Sequence, residues 1–597
     1  MGNLVFVRSA NGSRTNYAYN AANRLTTTTY PGSGGTVAFT YDLAGNMLTM
    51  VNPGVSVYDS YDQRNRVTNQ TSYVSGVKYQ TLYGYDKVGD TTSISYPDSY
   101  SYTLTYDGVN RLKKAGTYAT VGYTVDDKIG KITYMNGEVT TYTYDNRNRP
   151  MRILDKYGST KEMDLNYTYD ATGNVKMLNT ETYHYDWLNR LNYSSGPWTT
   201  ITYSYDQVGN RVKMVQGTTT TYTYGSFNRL SSAGSTSYTY DANGNMITKS
   251  EGWTYSYDYE NRLTKAVQSG TTLQQNTYDG NGNRIKQVAG SSTFTYLYLG
   301  LNILYEKNVT GSTTTVTKHF YAGGLQVAKM VGSTAFYLHQ DALGSTRLVA
   351  TSAVIIKFSS NYVPYGNNYG ISGKEVFMYT GKPYDSATGL YYYGARYYDP
   401  TTGRFAAQDS YYGNKNDPMT MNRYIYARDN PERYIDPNGH AILAIATTTE
   451  GEAPRNWAAP LPFVPPLIDV NKVSTVPSPP SPSRGNLVRT ADVVLSQIGK
   501  DQYTKTVIQT STTVTQTTTT STTTPPSNPN LNPVNCVTAP AGGAILSEGA
   551  GIFVFGSGAE FIGATAAFIG ILSFGVAIPI LLVAVSVAYY YYDPSCK

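Results

Sequence analysis

The chain has 597 residues, with 47 Lys and Arg against 41 Asp and Glu, and 60 tyrosines against 15 phenylalanines. This length exceeds that of one compact core, so several domains or a repeat array are expected. The formal net charge of +6 is spread along the chain without a Lys/Arg block, which argues against nucleic-acid binding. Abundant Tyr, Thr, Val and Ser, with Gly and Asn between them, favour an all-β fold.

The first predicted elements are internal repeats, which run from the start of the chain to about residue 284. Examples are "FTYDLAGNML", "YTYDNRNRP" and "YTYDANGNMI". Each repeat reads Tyr-x-Tyr-Asp-x-x followed by Gly-Asn or Asn-Arg, and the two endings alternate along the chain. The structural unit is therefore a pair of repeats.

Elementary geometry predicts the structure of one repeat. Tyr-x-Tyr places two rings on the same face of a strand, because side chains alternate with period two. The Asp can accept hydrogen bonds from backbone N–H groups ahead of it and close a turn, in which Gly or Asn adopts positive φ. A single hairpin cannot bury its apolar face, so neighbouring repeats must pair. These tyrosines and aspartates are predicted to be scaffold residues.

This pattern resembles the YD-repeat, or RHS-repeat, family over roughly residues 1–440. The resemblance implies that residues 1–290 wind a long β-sheet into a hollow shell, whereas composition alone also allows an open β-solenoid. Gly2-Asn3 falls in phase with Asn23-Arg24, which predicts that the chain begins in mid-repeat. The missing signal peptide then carries little weight.

Beyond the repeats, a different set of phrases resembles the RHS repeat-associated core. They are "FYLHQDALGSTRLVA", "FMYTGKPYDSATGLYYYGARYYDPTTGRFAAQD" and "NRYIYARDNPERYIDPNGH". The resemblance implies that residues 291–440 close the shell at its C-terminal end. The tyrosines of this region are then expected to pack against the sheet and within the cap.

The same resemblance implies a self-cleaving aspartyl protease. Matched by motif, its two carboxylates are Asp409 and Asp436, and its scissile bond lies at or near His440-Ala441. Two carboxylates held close share a proton, so that one serves as base toward water and the other as acid toward the scissile carbonyl.

Two departures from the family pattern leave an alternative open. Ser410 follows Asp409 where many members have proline, and His440 stands where many have leucine. The alternative is that Asp399, Asp409 and Asp436 only cap turns. Self-cleavage is the one enzymatic activity that the sequence suggests.

No cofactor or metal site is predicted. The sequence has no CxxC spacing, and its four histidines are scattered at His184, His319, His339 and His440.

The tail changes composition abruptly. Residues 441–535 are rich in Pro, Thr and Ser and are predicted to be a disordered linker. Residues 536–597 are hydrophobic, and the uncharged run 561–592 is predicted to be a transmembrane helix, or else an apolar core helix of a small domain. Cys536 and Cys596 bracket this segment and permit one disulfide.

Two functions remain open at this stage. One is a secreted or surface-displayed shell that encloses or presents a variable, membrane-active C-terminal segment, released by autoproteolysis after the DPNG motif. The other is a cell-surface adhesin or carbohydrate-binding protein, anchored in a membrane by its C-terminal helix, with a cell-surface glycan or protein as partner. The tail carries no nuclease, deaminase, protease or glycosidase signature.

Overall fold

The computed structural model describes residues 3–444 and four short strands beyond them. The chain divides into two compact units, Met1–Ser474 and Thr475–Lys597. Most of the first unit is one antiparallel sheet of 37 strands, in which each strand pairs with the next along the chain. The helical elements among the described residues are single 3-10 turns. The predicted all-β fold, with one long continuous sheet, is confirmed.

The first nineteen strands are β1 Phe6–Arg8, β2 Arg14–Tyr19, β3 Leu25–Thr29, β4 Thr36–Tyr41, β5 Met47–Asn52, β6 Val55–Tyr61, β7 Val67–Val74, β8 Val77–Tyr85, β9 Thr91–Ser95, β10 Ser101–Tyr106, β11 Leu112–Ala115, β12 Ala119–Tyr123, β13 Ile129–Tyr134, β14 Glu138–Tyr144, β15 Pro150–Tyr157, β16 Thr160–Tyr169, β17 Val175–Leu178, β18 Glu181–Tyr185 and β19 Leu191–Gly196. The rest of the long sheet is β20 Thr199–Tyr205, β21 Arg211–Gln216, β22 Thr218–Tyr224, β23 Leu230–Ala233, β24 Thr236–Tyr240, β25 Met246–Lys249, β26 Trp253–Tyr257, β27 Leu263–Gln268, β28 Thr271–Tyr278, β29 Arg284–Ala289, β30 Ser292–Leu299, β31 Asn302–Thr310, β32 Thr313–Ala322, β33 Leu325–Val331, β34 Thr334–Gln340, β35 Thr346–Thr351, β36 Ile356–Tyr362 and β37 Asn368–Gly373.

Shorter strands follow the long sheet: β38 Tyr384–Asp385, β39 Leu390–Tyr392, β40 Tyr397–Asp399, β41 Arg404–Phe405, β42 Tyr434–Ile435, β43 Leu443–Ala444, β44 Phe553–Phe555, β45 Ala559–Phe561, β46 Leu572–Ser573 and β47 Val576–Ala577. The 3-10 turns are Gly32–Gly34, Ser226–Asn228, Tyr379–Gly381, Pro418–Met421 and Ala427–Asp429.

The aspartate of each repeat closes its turn, as the sequence predicts. Asp42 Oδ1 accepts the backbone N–H groups of Gly45 and Asn46, each at 2.8 Å, and the Asn46 side chain donates to Asp42 Oδ2 at 2.7 Å. In the other kind of turn, Arg66 Nε donates to Asp62 Oδ2 at 2.7 Å. Gly45 has φ of 101°, which a residue without Cβ adopts at little cost.

The second tyrosine of most repeats donates a hydrogen bond to a backbone carbonyl of the preceding repeat. The pairing of β4 with β5 shifts register at Tyr41, and the Tyr41 hydroxyl donates to the Leu25 carbonyl at 2.8 Å. Tyr61 does the same to Met47 at 2.8 Å. The bond recurs at Tyr85, Tyr106, Tyr123, Tyr144, Tyr169, Tyr185, Tyr205, Tyr224 and Tyr278. Phenylalanine would leave that carbonyl without this donor, which explains why the repeats use tyrosine.

The alternation of the two endings follows from contacts between successive turns. The Asn46 amide donates to Asn65 Oδ1 of the next turn at 2.8 Å. Arg66 Nη1 in turn donates to the backbone carbonyl of Asp86 at 2.9 Å, with its guanidinium 4.5 Å above the Tyr85 ring. Further examples are Asn174–Asn189, Arg190–Asp206, Asn210–Asn228, Asn245–Asn261 and Arg262–Asp279. Each kind of turn therefore binds the other kind.

Distant parts of the sheet pack face to face around an aromatic core. The Tyr96 hydroxyl donates to the His319 carbonyl at 3.1 Å, and Tyr134 donates to the Leu338 carbonyl at 3.1 Å. The rings of Tyr96 and Phe320 meet edge to face at 6.1 Å between centroids. The largest hydrophobic cluster lies at this contact and combines residues from both halves of the sheet.

The residues after β37 form a small domain against the long sheet, which we call the cap (residues 374–440). Strands β38 to β41 make a four-stranded sheet. Tyr391, Tyr398 and Tyr426 are fully buried, with the rings of the last two 4.4 Å apart. A buried ion pair between Arg284 of the repeats and Asp385 of the cap joins the two parts.

Most of the predicted tail elements lie outside the described residues. This applies to the linker from residue 445 onward and to Cys536 and Cys596, the pair whose sequence positions permit a disulfide. Within the predicted transmembrane run 561–592, β46 and β47 are a short antiparallel strand pair, so those positions are extended and not helical. Among the described residues, no helix has the length and apolar character needed to cross a bilayer.

Candidate functional site

Asp409 lies in the cap, on the segment that follows β41. It is 7% exposed. Its Oδ2 contacts Arg396 Nη2 at 2.8 Å, and its Oδ1 contacts His440 Nδ1 at 2.7 Å and accepts the Tyr411 N–H at 2.9 Å. The Arg423 side chain donates to the Asp409 backbone carbonyl. Both carboxylate oxygens and the main chain are therefore held in place.

Asp436 lies just beyond β42 and is 2% exposed. Its Oδ1 accepts three successive backbone N–H groups, from Asn438 at 3.2 Å, Gly439 at 2.8 Å and His440 at 3.0 Å. The DPNGH motif is thus folded around the Asp436 carboxylate. The other carboxylate oxygen, Oδ2, takes no part in these backbone bonds.

Arg396 brings the two predicted site residues together. Its Nη2 lies 3.3 Å from Asp436 Oδ2 and also contacts Asp409, as described above. Its Nε donates to the Gly439 carbonyl, and its Nη1 donates to the Arg423 carbonyl at 2.9 Å. The guanidinium carbon lies 3.6 Å above the centre of the Phe405 ring. The carboxylates therefore share a buried cation.

The two carboxyl groups differ in acidity for identifiable reasons. Burial acts to raise the pKa of Asp409, but the Arg396 guanidinium and the hydrogen bond from His440 outweigh it, so this pKa lies below its usual value. Burial raises the pKa of Asp436 above its usual value, although Arg396 and backbone N–H groups oppose the effect. Asp409 is thus the more acidic of the two carboxyl groups, and unequal acidity of this kind is what acid–base catalysis by two carboxyls needs.

The predicted scissile bond lies at the same place. Asn438 Oδ1 accepts the N–H of His440 at 3.0 Å and the N–H of Ala441 at 2.9 Å, so the amide on the far side of the bond is fixed by a side chain of the motif. Two residues further on, β43 pairs with β42. The ordered chain therefore continues past the bond to Ala444, beyond the end at residue 440 that the sequence predicted.

Part of the site lines a large cavity of about 2500 Å³. Arg396, Asp436, Asn438 and His440 contribute to its wall. Turn residues of the repeats line other parts, among them Asn65, Arg66, Asn110, Arg111 and Asn261.

Asp399 caps a turn, the alternative role that the sequence also allows for Asp409 and Asp436. It is 5% exposed, its Oδ1 accepts the Thr401 N–H at 2.8 Å, and its backbone carbonyl accepts the Gly403 N–H at 2.9 Å. These are the bonds of a turn cap. Asp399 is therefore a natural comparison residue for Asp409 and Asp436.

Sequence reasoning missed two basic residues beside the pair. Arg396 is 6% exposed, and Lys382 donates to the Pro437 carbonyl at 2.6 Å. Burial lowers the pKa of Lys382 to about 8, although Asp436 acts in the opposite direction. Arg396 lies within the "YYYGARYYD" stretch, in which the tyrosines are the more conspicuous feature. A single arginine within a buried aromatic run signals a buried acidic partner, since such a charge must be paired.

Sequence comparison identifies two matching families. The profile described as Teneurin YD-shell matches residues 156–432, and the profile described as RHS Repeat matches residues 2–34. The first match includes Arg396 and Asp409 and ends four residues before Asp436.

Among curated proteins, the chain is 30% identical over 432 residues to the tRNA3(Ser)-specific nuclease WapA of Bacillus spizizenii, covering 69% of this chain and 16% of that protein. It is 25% identical over 422 residues to toxin subunit YenC1 of Yersinia entomophaga, covering 55% of this chain and 42% of that protein. The chain thus spans well under half the length of these relatives.

Among solved structures, the crystal structure of TcdB2-TccC3 has a similar fold, with a TM-score of 0.64 and 20% sequence identity. The similarity covers 73% of this chain and 27% of that chain.

Proposed function

Because this chain belongs to the RHS/YD-repeat family, we propose that it is a shell protein that carries residues 441–597 as a variable C-terminal segment and releases them by autoproteolysis at the His440–Ala441 bond. One observation carries the proposal. Arg396, which lines the cavity with Asp436, contacts both Asp409 and Asp436, and the residues on both sides of the bond are hydrogen-bonded to the motif that contains Asp436.

The proposed reaction is hydrolysis of one peptide bond. Asp409 as the carboxylate takes a proton from a water molecule, whose oxygen attacks the His440 carbonyl carbon, while the Asp436 carboxyl gives its proton to the carbonyl oxygen. In the collapse of the tetrahedral diol, one of its hydroxyls returns a proton to the Asp436 carboxylate, the proton that Asp409 accepted passes to the Ala441 nitrogen, and the C–N bond breaks. The products are a shell that ends in the His440 carboxylate and a segment that begins with the Ala441 amine.

Arg396 has a separate part in this scheme. Its positive charge keeps Asp409 ionised and offsets the repulsion that two buried carboxylates would otherwise feel. Its bonds to the Gly439 and Arg423 carbonyls fix the scissile segment against the site. Positioning of this kind lowers the entropic part of the barrier.

His440 distinguishes this chain from the usual family pattern. The side chain at this position, which is leucine in many members, here hydrogen-bonds to Asp409 Oδ1. That oxygen also accepts the Tyr411 N–H, so the histidine occupies the remaining lone pair, which is needed to accept a proton from water. We infer that His440 slows cleavage relative to a leucine at the same place.

The proposal also covers where the shell is located and how the released segment acts. The toxin-related relatives support secretion or surface display, and the uncharged run 561–592 supports an action of the released segment on membranes. The second candidate is a surface adhesin in which the same run is the anchor. The Pro/Thr-rich residues 441–535 favour this candidate, since a stalk suits an anchored shell.

The experiment is N-terminal sequencing of fragments of the purified full chain at neutral pH. The parent should contain a fragment that starts at or near Ala441, and Asp409→Asn and Asp436→Asn should each abolish it. Asp399→Asn is the matched control, because this aspartate is equally buried and only caps a turn; it should cut like the parent. Cleavage in both site variants would overturn the proposal. Acid must be avoided, because the Asp399-Pro400 and Asp436-Pro437 bonds hydrolyse in it.

A second measurement separates the two candidate functions. Expression of residues 441–597 alone should arrest growth and depolarise the membrane if the tail is cargo. Harmless retention in the membrane would favour the anchored adhesin.

A further inference from the structure

Lys382 is a basic residue of the cap that takes no part in the cleavage reaction described above. Its Nζ donates to the Pro437 carbonyl at 2.6 Å and lies 5.8 Å from the centre of the Tyr393 ring. It lines the same cavity as Asp436 and Asn438. The hydrogen bond joins positions 55 residues apart in the chain, so it fastens the DPNG motif to another part of the cap.

The backbone before Lys382 is held in an unfavourable conformation. Thr380 has φ of 49°, in the left-handed region that β-branched residues rarely adopt. Its N–H donates to Ser345 Oγ at 3.0 Å, its hydroxyl lies 2.7 Å from the Tyr393 hydroxyl, and the Lys382 N–H donates to the Tyr379 carbonyl at 3.0 Å. Backbone strain persists only where the surrounding contacts enforce it, and it is concentrated at functional sites. Lys382 is therefore carried by a turn that is anchored to Ser345, at the start of β35 in the long sheet.

The charge of Lys382 suits the proton transfer that Asp436 performs. As the acid of the proposed reaction, Asp436 becomes a carboxylate when the scissile carbonyl oxygen gains its proton. Asp436 acts to raise the pKa of Lys382, and this interaction is reciprocal, so the ammonium favours the ionised form of Asp436. An interaction that strengthens as the proton leaves lowers the barrier. Arg396 lies closer to Asp409 than to Asp436, which gives a second cation near Asp436 a use.

We propose that Lys382 is a positioning residue of the self-cleavage reaction. Its ammonium holds the Pro437 carbonyl, and with it the DPNG motif, in place against the two carboxyl groups, and its charge stabilises the carboxylate that Asp436 becomes. Lys382 acts through the motif and through Asp436, because the carbonyl that it binds is not the one that is cleaved. This inference rests on the proposed function and adds a residue to it.

The charge of Lys382 depends on pH in a range that is easily tested. Burial lowers its pKa to about 8, although Asp436 acts in the opposite direction. Tyr393, whose ring the amine faces, stays neutral there because burial raises its pKa well above the usual value, and Arg396 contacts the same Asp436. The positive charge of Lys382 is therefore complete below about pH 8 and is lost above it, whereas an arginine at this position stays charged.

The test is the rate of cleavage of the full chain at about pH 7, in the parent and in three variants. Lys382→Met keeps the apolar stem but loses the charge and the hydrogen bond, so it should be cut at least about tenfold more slowly. Lys382→Arg restores both and should be cut within about threefold of the parent's rate. Lys318→Met is the matched control: Lys318 is also buried and lies 4.9 Å from the centre of the Tyr100 ring, but its partner Asp98 is 36% exposed and can reach water. It should be cut like the parent.

A pH profile separates positioning by charge from a merely structural role. Between about pH 7 and about pH 9.5, cleavage of the parent should slow as Lys382 loses its proton, while cleavage of Lys382→Arg should not. This comparison decides the question even if Lys382→Met fails to fold, which circular dichroism would show. Cleavage of a folded Lys382→Met at the parent's rate, or the same decline with pH in the parent and in Lys382→Arg, would overturn this inference and leave the proposed function standing. A parent chain that is not cut at all would overturn both.

Discussion

Arg396 Nη2 lies 2.8 Å from Asp409 Oδ2 and 3.3 Å from Asp436 Oδ2, so one buried guanidinium nitrogen contacts both carboxylates of the proposed site. The positive charge of Arg396 offsets the negative charge of the two buried carboxyl groups. It also accounts for the unequal acidity, because the shorter contact is made to the carboxyl whose pKa is lowered. Arg396 is therefore part of the proposed site, together with Asp409 and Asp436.

The first prediction concerns Arg396→Lys. The lysine keeps the positive charge but has one nitrogen, so it cannot contact both carboxylates and both backbone carbonyls. We expect the cleavage rate to fall by about 100-fold or more, since misplaced catalytic groups lose most of their rate. A time course of fragment formation on gels measures this, with circular dichroism to verify the β-sheet. A variant that is well folded and cuts at the parent's rate would contradict the role given to Arg396.

The second prediction concerns His440→Leu. Leucine cannot hydrogen-bond to Asp409 Oδ1, so one lone pair of that oxygen becomes available to the attacking water, while the other still accepts the Tyr411 N–H. We expect the variant to be cut several times faster than the parent at neutral pH, on the order of the severalfold effect of one lost hydrogen bond. The measurement is the fraction of chain cut against time. Slower cleavage of His440→Leu would mean that the histidine assists the reaction.

The third prediction concerns the repeat tyrosines. The Tyr169 hydroxyl donates to the Pro150 carbonyl at 2.6 Å. Tyr169→Phe leaves that carbonyl without the bond, so the free energy of unfolding should fall by about 1–2 kcal/mol. Tyr157→Phe is the control, because Tyr157 is 47% exposed and its hydroxyl can reach water; it should change little. If urea unfolding showed the same loss of unfolding free energy in both variants, the hydroxyl bond would not be the reason that the repeats use tyrosine.

The fourth prediction concerns pH. Burial, with a further contribution from Glu181, raises the pKa of Glu432 to about 8. The folded state therefore holds a proton that the unfolded state has released, so this contribution to stability is complete below the ordinary glutamate pKa and is lost as the pH rises toward 8. Between these pH values, the free energy of unfolding of Glu432→Gln should fall by about 1–3 kcal/mol less than that of the parent. Urea unfolding of parent and variant at about pH 5 and pH 8.5 tests it, and identical pH dependence would contradict it.

The repeat array could be predicted from sequence because its determinants are local. Tyr-x-Tyr-Asp and the Gly-Asn or Asn-Arg ending lie within one turn, and the structure forms the predicted turn at Asp42 and Asp62. The reason for the alternation was not visible, because the Asn46–Asn65 bond joins successive turns through space.

The site was less predictable, since distant residues form it. Motif resemblance located Asp409 and Asp436, but nothing in their spacing revealed that Arg396 would lie between them. The Lys382–Pro437 contact joins residues 55 positions apart, so the motif gave no sign of it. Composition also suggested a helix at 561–592; β46 and β47 within this run are extended, and the rest of the run after Phe561 lies outside the described residues. Apolar runs alone do not distinguish a strand from a helix.

The most direct test of the central claim is self-cleavage of the full chain in water enriched in ¹⁸O at neutral pH, followed by mass spectrometry of both products. Hydrolysis by the proposed pair should place one heavy oxygen in the C-terminal carboxylate of the shell fragment, on His440, and none in the fragment that begins with Ala441. Asp409→Asn should give neither product, while Asp399→Asn gives both. An intact parent chain, a cut elsewhere, or the same labelled products from Asp409→Asn would contradict the account.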